Sequence, residues 1–430
     1  MESHNPLARG SVIFSLEVAR TASSSTGSRP ASIWEDDHEN QSQTNKLTGE
    51  FRMAESSAST VQASPKLSLY SKLRTSLVPS KATNNTTSDD LSQLRPMASW
   101  RSPLKPGRAL IGYGDLALYF KHLGNIREAK MDGNLSRLNQ IEFGNSLLSL
   151  DELEVCAVAM LERMAPGHLL SGQTGIDCLT RLVSDLRSKF RQNPYHDFRH
   201  AVDGMQFMFY MLHCEDVGEH LLGEEMTRFL LVLGAFVQDL EHDGKSNEWH
   251  REHQTNLVVD YGNDSPLEKL AFATVEGIIK DTRLIELLGL NGDLEKKFYI
   301  KLRALMLCTD MDRHEELVEQ FTTKPTASSA FLLLIKLSDV SNVAREFDEA
   351  KVWARRLEAE RKLHLESMVT TSLAKAVMDF SVSRVLPLTN AMEHMLGMPH
   401  TGKLLGWRIE SNVYRWTREE AEKAEVNLGL

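Results

Sequence analysis

Two histidines four residues apart, His196 and His200, are the side chains of this sequence best placed to do chemistry. They belong to the stretch Asn-Pro-Tyr-His-Asp-Phe-Arg-His, residues 193–200. If the chain is helical from Asp197 onward, with Pro194 near the helix start, both imidazoles lie on one face, one turn apart. Two imidazoles so placed can share a metal ion, or one can bind metal while the other transfers a proton. An isolated pair of this kind is more often two solvent-facing histidines, so other segments must decide.

Three further segments place polar side chains directly after strongly apolar runs. They cover residues 229–247, 305–314 and 331–342. An acidic group at the end of a buried helix must be paired or must bind a metal. Together with the two histidines, these segments offer nitrogen and oxygen ligands that suit zinc, with magnesium or manganese beside it. The polar residues in question are Gln238, Asp239, His242, Thr309, Asp310 and Asp339.

The elements that must position these residues are predicted to be helices. Apolar residues recur at helical spacing over 150–164, 176–186 and 267–278, and no stretch alternates as a strand would. Pro266 marks the start of the third helix, with Ser265 as a candidate cap. We therefore predict one all-α domain of a dozen or more helices over residues 109–425, with no internal repeat.

Residues 1–108 differ in composition from the rest of the chain. Serine, threonine, asparagine and proline dominate there, and such a segment cannot bury enough apolar surface to offset its ordering entropy. We predict a disordered Ser/Thr-rich tail, which could dock on a protein partner.

Composition excludes several classes of protein. A formal net charge of −10 argues against a nucleic-acid groove, which needs a basic face. The four cysteines form no C-x-x-C pair, so neither a zinc knuckle nor a disulfide framework is indicated. No apolar run approaches the ~20 residues that cross a bilayer, and no secretory signal is present. These features predict a reduced, cytoplasmic protein.

The four polar segments resemble, in order and spacing, the motifs of the class I 3′,5′-cyclic nucleotide phosphodiesterases, which are HD-type metallohydrolases. The family's Y/F-H-N-x-x-H reads Tyr-His-Asp-Phe-Arg-His at 195–200, and its H-D-x-x-H-P-G-x-x-N reads Gln-Asp-Leu-Glu-His-Asp-Gly-Lys-Ser-Asn at 238–247. The motifs T-D-M-x-x-H and D-x-S-N are intact at 309–314 and 339–342. The resemblance extends over residues ~150 to 420 and implies the all-α phosphodiesterase fold.

The resemblance also implies roles for individual residues and a cofactor of two divalent metals, zinc with magnesium or manganese. It places His196 as the general acid, and it places the metal ligands at His200, Gln238, Asp239 and Asp339. Supporting positions beside the ligands fall on His242 and Thr309. The nucleotide-binding positions are Asn342, Val377 and Phe380.

The sequence departs from the family pattern at two of these positions and at one further motif. Gln238 stands where the family has a metal-binding histidine, which would weaken the first metal site. Val377 stands where the family has a purine-reading glutamine, and no glutamine follows Gln320. The family's L-E-N-H-H reads Leu-Glu-Lys-Leu-Ala at 267–271, without either histidine.

These departures leave three functions open. The resemblance favours hydrolysis of cyclic AMP, cyclic GMP or both to 5′-nucleoside monophosphates in signal transduction, with impaired activity. The alternatives are a catalytically dead module for binding or scaffolding, and a phosphohydrolase with another substrate. A homodimer is also expected.

Overall fold

The computed structural model describes residues 128–213, 225–323, 327–364, 371–395 and 399–428. This part of the chain is all-α: sixteen α-helices and four shorter helical turns, without a strand among the described residues. The fold class predicted from the sequence is thus confirmed. The predicted tail, residues 1–108, lies outside the described residues.

The α-helices are numbered in chain order. They are α1 Glu128–Arg137, α2 Leu150–Met164, α3 Gln173–Arg187, α4 Phe198–His213, α5 Glu225–Val237, α6 Asn247–Glu252, α7 Asn256–Tyr261, α8 Pro266–Asp281, α9 Leu284–Leu287, α10 Asp293–Leu307, α11 His314–Thr323, α12 Ala327–Asp339, α13 Phe347–His364, α14 Leu373–Phe380, α15 Leu386–Met395 and α16 Pro399–Leu428. The shorter turns are Pro166–His168, Met311–Arg313, Ser341–Ala344 and the π-turn Ser381–Val385.

Helix α4 lies at the centre of the fold, packed against α2, α5 and α12. Its residues 200–212 are all buried, as expected of a helix that is apolar on nearly every side. Close packing is possible because Gly204 has no side chain. A Cβ there would lie 3.3 Å from the Ser338 carbonyl of α12 and 3.6 Å from the Ala235 carbonyl of α5. The backbones of three helices therefore meet one turn from His200.

Two helices differ from the sequence prediction at their N-terminal ends, one in its first residue and the other in its cap. Helix α4 begins at Phe198, and Asp197 caps it by accepting from the N–H groups of Arg199 and His200, at 3.0 and 3.1 Å. His196 thus precedes the helix, so the two histidines do not share a helix face as expected. Helix α8 begins at Pro266 as predicted, but the Ser265 hydroxyl donates to Asp310 at 2.7 Å and makes no cap.

None of the described helices is long and apolar enough to cross a membrane.

Candidate metal centre and proton-transfer site

The candidate site gathers the ends of α4, α5 and α12 with the middle of α13. His200 lies in the first turn of α4, Gln238 and Asp239 directly follow α5, and Asp339 ends α12. Each apolar run is buried because its helix belongs to the core. The polar residue at its end therefore emerges where the helices converge, which explains the pattern seen in the sequence.

Three metal-ligating side chains converge at this point. His200 Nε2 lies 3.3 Å from Asp239 Oδ2 and 3.5 Å from Asp339 Oδ1. Both separations exceed the ~2.7–3.2 Å of a good N–H···O hydrogen bond. Asp239 Oδ2 is buried and makes no hydrogen bond within the described part of the chain. One imidazole and two carboxylates facing a common point, with an orphaned carboxylate oxygen, fit a divalent cation.

The charges of this cluster depend on one another. Burial alone would lower the pKa of His200, but Tyr195 and the nearby carboxylates of Asp239 and Asp339 raise it well above its usual value. Burial alone would raise the pKa of Asp239, but the histidines around it lower that pKa instead. Without a cation, a protonated His200 therefore offsets the charge of the two carboxylates. A metal must displace that proton to bind the imidazole.

Gln238 lies beside the same carboxylates and is 4% exposed. Its Nε2 donates to Asp339 Oδ1 at 2.6 Å, while its Oε1 is buried without a partner among the described residues. The amide thus neutralises part of the Asp339 carboxylate by a hydrogen bond. Gln238 thus lies beside the other predicted metal ligands, and its role as a ligand stays a prediction.

His196 lies beside the metal cluster, with its ring centroid 5.6 Å from that of His200. Its Nδ1 is 2.5 Å from Glu360 Oε1, and Glu360 Oε2 accepts from the backbone N–H groups of Tyr195 and His196 at 2.8 and 2.9 Å. Burial alone would raise the pKa of Glu360, but the hydrogen bonds and charge of His196 lower it to about 2. An ionised carboxylate at this distance favours the tautomer of His196 that carries its proton on Nδ1.

Arg356 of helix α13 also fixes the backbone on either side of His196. Arg356 donates to the Pro194 carbonyl and to Asp197 Oδ2, each at 2.5 Å. Sequence reasoning missed Arg356 and Glu360, because both lie in a charge-rich helix that looks like an ordinary solvated surface. Their separation of about 160 residues from the histidine motif leaves no local signal.

His242 and Thr309, the two predicted supporting residues, lie in different surroundings. The ring of His242 stacks on that of His196 with centroids 3.9 Å apart. Burial, and then the charge of His196, lowers the pKa of His242 to about 3, so this imidazole stays neutral. Thr309 Oγ1 donates to the Met306 carbonyl at 2.8 Å and closes the end of α10. Its supporting role at the metal centre stays a prediction.

A half-buried glutamate that the sequence reasoning left out lies near the cluster. Glu268 accepts from Asn247 Nδ2 at 2.9 Å. Its pKa is raised to about 8, by burial first and then by the negative charge of Asp310. The signal in the sequence was the Leu-Glu pair at 267–268, which matches the family's L-E even though the histidines after it are missing. Glu268 adds a proton-binding group on the α8 side of the centre.

An apolar pocket adjoins the site and contains the predicted nucleotide-binding positions. It has ≈ 850 Å³ of empty space, part of it open to solvent. Val377, Phe380 and Asn342 all line it, with Trp353 and Leu357 from α13. The Asn342 amide donates to the Tyr195 hydroxyl, which occupies one of its donors. The pocket thus offers ring-stacking surfaces, and its lining also includes polar side chains such as Glu358, Arg361 and Thr371.

Comparison with known proteins agrees with this architecture. A profile of the 3′5′-cyclic nucleotide phosphodiesterase family matches residues 195–405. The cGMP-specific 3′,5′-cGMP phosphodiesterase 3 of Dictyostelium discoideum is 27% identical over 192 residues, covering 42% of this chain and 41% of the relative. The high affinity cGMP-specific 3′,5′-cyclic phosphodiesterase 9A of Homo sapiens is 28% identical over 184 residues, covering 41% and 31%.

A solved structure shows that the fold is shared. The phosphodiesterase domain of Salpingoeca rosetta rhodopsin phosphodiesterase superposes with a TM-score of 0.58 at 19% identity, covering 71% of this chain and 98% of that domain. The match spans 41% and 31% of the length of these two curated relatives. Motif order, profile match and fold agree, and the helical domain of this chain therefore belongs to the 3′,5′-cyclic nucleotide phosphodiesterase family.

Proposed function

We propose that this chain hydrolyses 3′,5′-cyclic nucleotides to 5′-nucleoside monophosphates in a metal-dependent reaction. The observation that carries the proposal is that two groups of side chains lie side by side. A histidine held by a buried carboxylate, His196 with Glu360, lies beside a cluster of three metal-ligating side chains. Cleaving a phosphodiester requires both an activated water and a proton for the leaving oxygen. In this proposal the metal cluster activates the water and His196 supplies the proton.

The proposed cofactor is two divalent cations, zinc with magnesium or manganese, as the family resemblance implies. His200, Asp239 and Asp339 would hold the first cation, with the Gln238 amide oxygen as a fourth ligand. Bound cations lower the pKa of water to near neutrality and polarise phosphoryl oxygens. An amide oxygen is a poor substitute for imidazole in a zinc site, so we propose that the first site is weaker than a complete one.

The proposed role of His196 is to protonate the leaving 3′ oxygen through Nε2. Glu360 fixes the ring orientation through Nδ1 and stabilises the positive charge that the ring carries when doubly protonated. Neutral His242, stacked against it, limits rotation of the ring without competing for the proton. Deprotonated His196 would then recover a proton from solvent, toward which it is 23% exposed.

The pocket is the proposed site for the base. The side chains of Phe380 and Leu357 can stack on a purine, but Val377 offers no hydrogen-bond partner to its edge. A pocket that reads a base by hydrogen bonds rejects other bases strongly, whereas stacking discriminates weakly. Although both quoted relatives are named as cGMP-specific, we propose weak binding here with little preference between adenine and guanine.

One observation favours the alternative of a non-catalytic binding module. The hydrogen bond from Gln238 to Asp339, at 2.6 Å, gives the carboxylate a partner without any metal. A domain that no longer binds metal could keep the pocket as a binding surface for a nucleotide or a protein. Metal content and turnover separate the two functions.

The test is hydrolysis of cyclic AMP and cyclic GMP by the purified chain with added zinc, manganese or magnesium. His196→Ala should lower turnover by roughly 10²–10⁴-fold, the usual contribution of a general acid, and leave metal content nearly unchanged. His200→Ala should remove both metal and activity. His253→Ala, at an exposed histidine stacked on Trp249, is the control. Protein that takes up no metal and shows no turnover would support the binding module, and equal loss of metal in both site variants would refute the assigned roles.

The cytoplasmic location, the homodimer and a partner for the tail stay predictions from the sequence.

A further inference from the structure

The side-chain amide of Gln238 has two possible orientations toward Asp339. In the structure its NH₂ group faces Asp339 Oδ1 at 2.6 Å, and its Oε1 is buried without a partner in the described part of the chain. The last torsion of glutamine is broadly two-fold, so the opposite orientation is accessible. That orientation turns Oε1 toward the carboxylates, where two acceptors face each other. It becomes favourable only when a cation lies between them.

We infer from this arrangement that Gln238 makes the first metal site select oxygen-preferring cations, such as manganese or magnesium, over zinc. The inference rests on the proposed function, because it concerns the metal of the same site. With the amide turned, the ligand set is one imidazole nitrogen from His200 and oxygens from Gln238, Asp239 and Asp339. Carboxylate and carbonyl oxygens suit magnesium and manganese, whereas zinc gains most from imidazole and thiolate.

Gln238 also stabilises the metal-free state of the site. Its hydrogen bond to Asp339 must be broken before the amide oxygen can bind a cation. Because every cation has to displace this bond, it lowers the affinity for all of them alike. The choice of donor atom, in contrast, acts on the ratio between cations. We therefore expect an exchangeable metal and a shifted zinc-to-manganese ratio, rather than the retained zinc of a site with two imidazoles.

Direct metal-binding measurements on the full chain test the inference. Metal-free wild type and Gln238→His are equilibrated separately with buffered free Zn²⁺ and Mn²⁺. Bound metal is measured by elemental analysis, and Mn²⁺ also by its paramagnetic resonance spectrum. Gln238→His should tighten zinc by at least the ~10–100-fold that supporting residues of metal sites typically contribute. Its manganese affinity should change by much less, so that the zinc-to-manganese ratio rises.

Gln173→His provides a matched control. Gln173 also donates from Nε2 to a carboxylate, Asp177 Oδ1 at 2.7 Å, but on an exposed face of α3. This substitution places an imidazole beside an acid without the remaining ligands. Its zinc and manganese affinities should equal those of the wild type.

A second variant covers the case that Gln238→His does not fold. Gln238→Glu keeps an oxygen ligand but places two buried carboxylates together, so its metal-free form should melt at a lower temperature than the wild type. Added Mn²⁺ should raise the melting temperature of Gln238→Glu by more than it raises that of the wild type. The reason is that the bound cation offsets the repulsion between the two carboxylates.

Three results would overturn the inference. One is a ratio of zinc affinity to manganese affinity that is the same in wild type and Gln238→His. Another is a wild type that retains zinc through dialysis as firmly as that variant does. A Gln238→Glu protein that is indifferent to Mn²⁺ would do the same. Turnover of cyclic nucleotides in the same samples separates this failure from that of the proposed function. Persisting turnover refutes the selectivity alone, and absence of both metal and turnover refutes both.

Discussion

Replacing Glu360 by glutamine tests how His196 works, because it removes one charge and little else. The variant keeps an oxygen that can accept from the N–H groups of Tyr195 and His196, which lie 2.8 and 2.9 Å away. At Nδ1 of His196, however, an NH₂ group replaces a carboxylate oxygen that lies 2.5 Å away. The amide favours a ring without a proton on Nδ1, so the doubly protonated ring loses its stabilising partner.

The expected loss follows from the hydrogen bond that is removed. A hydrogen bond to a charged group contributes about 1.5–3 kcal/mol, which corresponds to roughly a 10–150-fold change in rate. The decrease should fall on kcat, because protonation of the leaving group belongs to the chemical step. Metal content should not change, since Glu360 bonds to His196 and is not one of the three side chains, His200, Asp239 and Asp339, assigned to the metal.

The assay is steady-state hydrolysis of cyclic AMP and cyclic GMP at saturating metal, with bound metal quantified in each sample. Glu286→Gln is the control, because Glu286 pairs with Arg283 at 2.6 Å on an exposed surface. The decisive comparison is the double variant His196→Ala/Glu360→Gln. If Glu360 acts through His196, the double variant should be no slower than His196→Ala alone. Additive losses would refute the reasoning, as would a variant that loses its metal.

Three further predictions concern the pocket, a half-buried acid and a buried ion pair. Val377→Gln should tighten at least one purine cyclic nucleotide by about 1–3 kcal/mol in a calorimetric titration; a wild type that already binds one nucleotide at micromolar affinity with strong preference would contradict this. The pKa of Glu268 is about 8 in the folded protein and about 4.5 without the fold. Between pH ~4.5 and ~8, the folded protein therefore carries a proton on Glu268 that the unfolded protein has released. Its contribution to stability is therefore complete at the acidic end and is lost as the pH rises. In urea unfolding of metal-free protein, the free energy of unfolding of the wild type should fall by a few kcal/mol relative to that of Glu268→Gln between pH ~5 and ~8. Parallel curves of this free energy against pH would refute the raised pKa of Glu268. Asp203→Asn leaves Arg345, which lies 3.2 Å from Asp203 with both side chains almost fully buried, without its counter-charge. The free energy of unfolding should fall by about 3–5 kcal/mol, and a loss below ~1 kcal/mol would show that water reaches the guanidinium.

Much of the fold was predictable from local patterns, and so was the choice of candidate metal ligands that the structure brings together. Apolar spacing predicted helices over residues 150–164 and 176–186, and the structure has helices at Leu150–Met164 and Gln173–Arg187. Polar residues directly after apolar runs pointed to Asp239 and Asp339 as candidate ligands. The physical reason is that a buried helix carries its end residue to the place where helices converge, so a one-dimensional pattern already marks a three-dimensional point.

Other features were decided by contacts between distant parts of the chain. The partner of His196 is Glu360, which approaches only because α13 packs against the turn before α4. The helix start at Phe198 depends on the Asp197 cap, and the Ser265 hydroxyl bonds to Asp310 instead of capping α8. The sequence by itself determined which side chains could bind metal or move a proton, because residue type and helical period are local properties. Only the tertiary structure decided which of them meet and which hydrogen bonds they make, because those depend on distances between groups far apart along the chain.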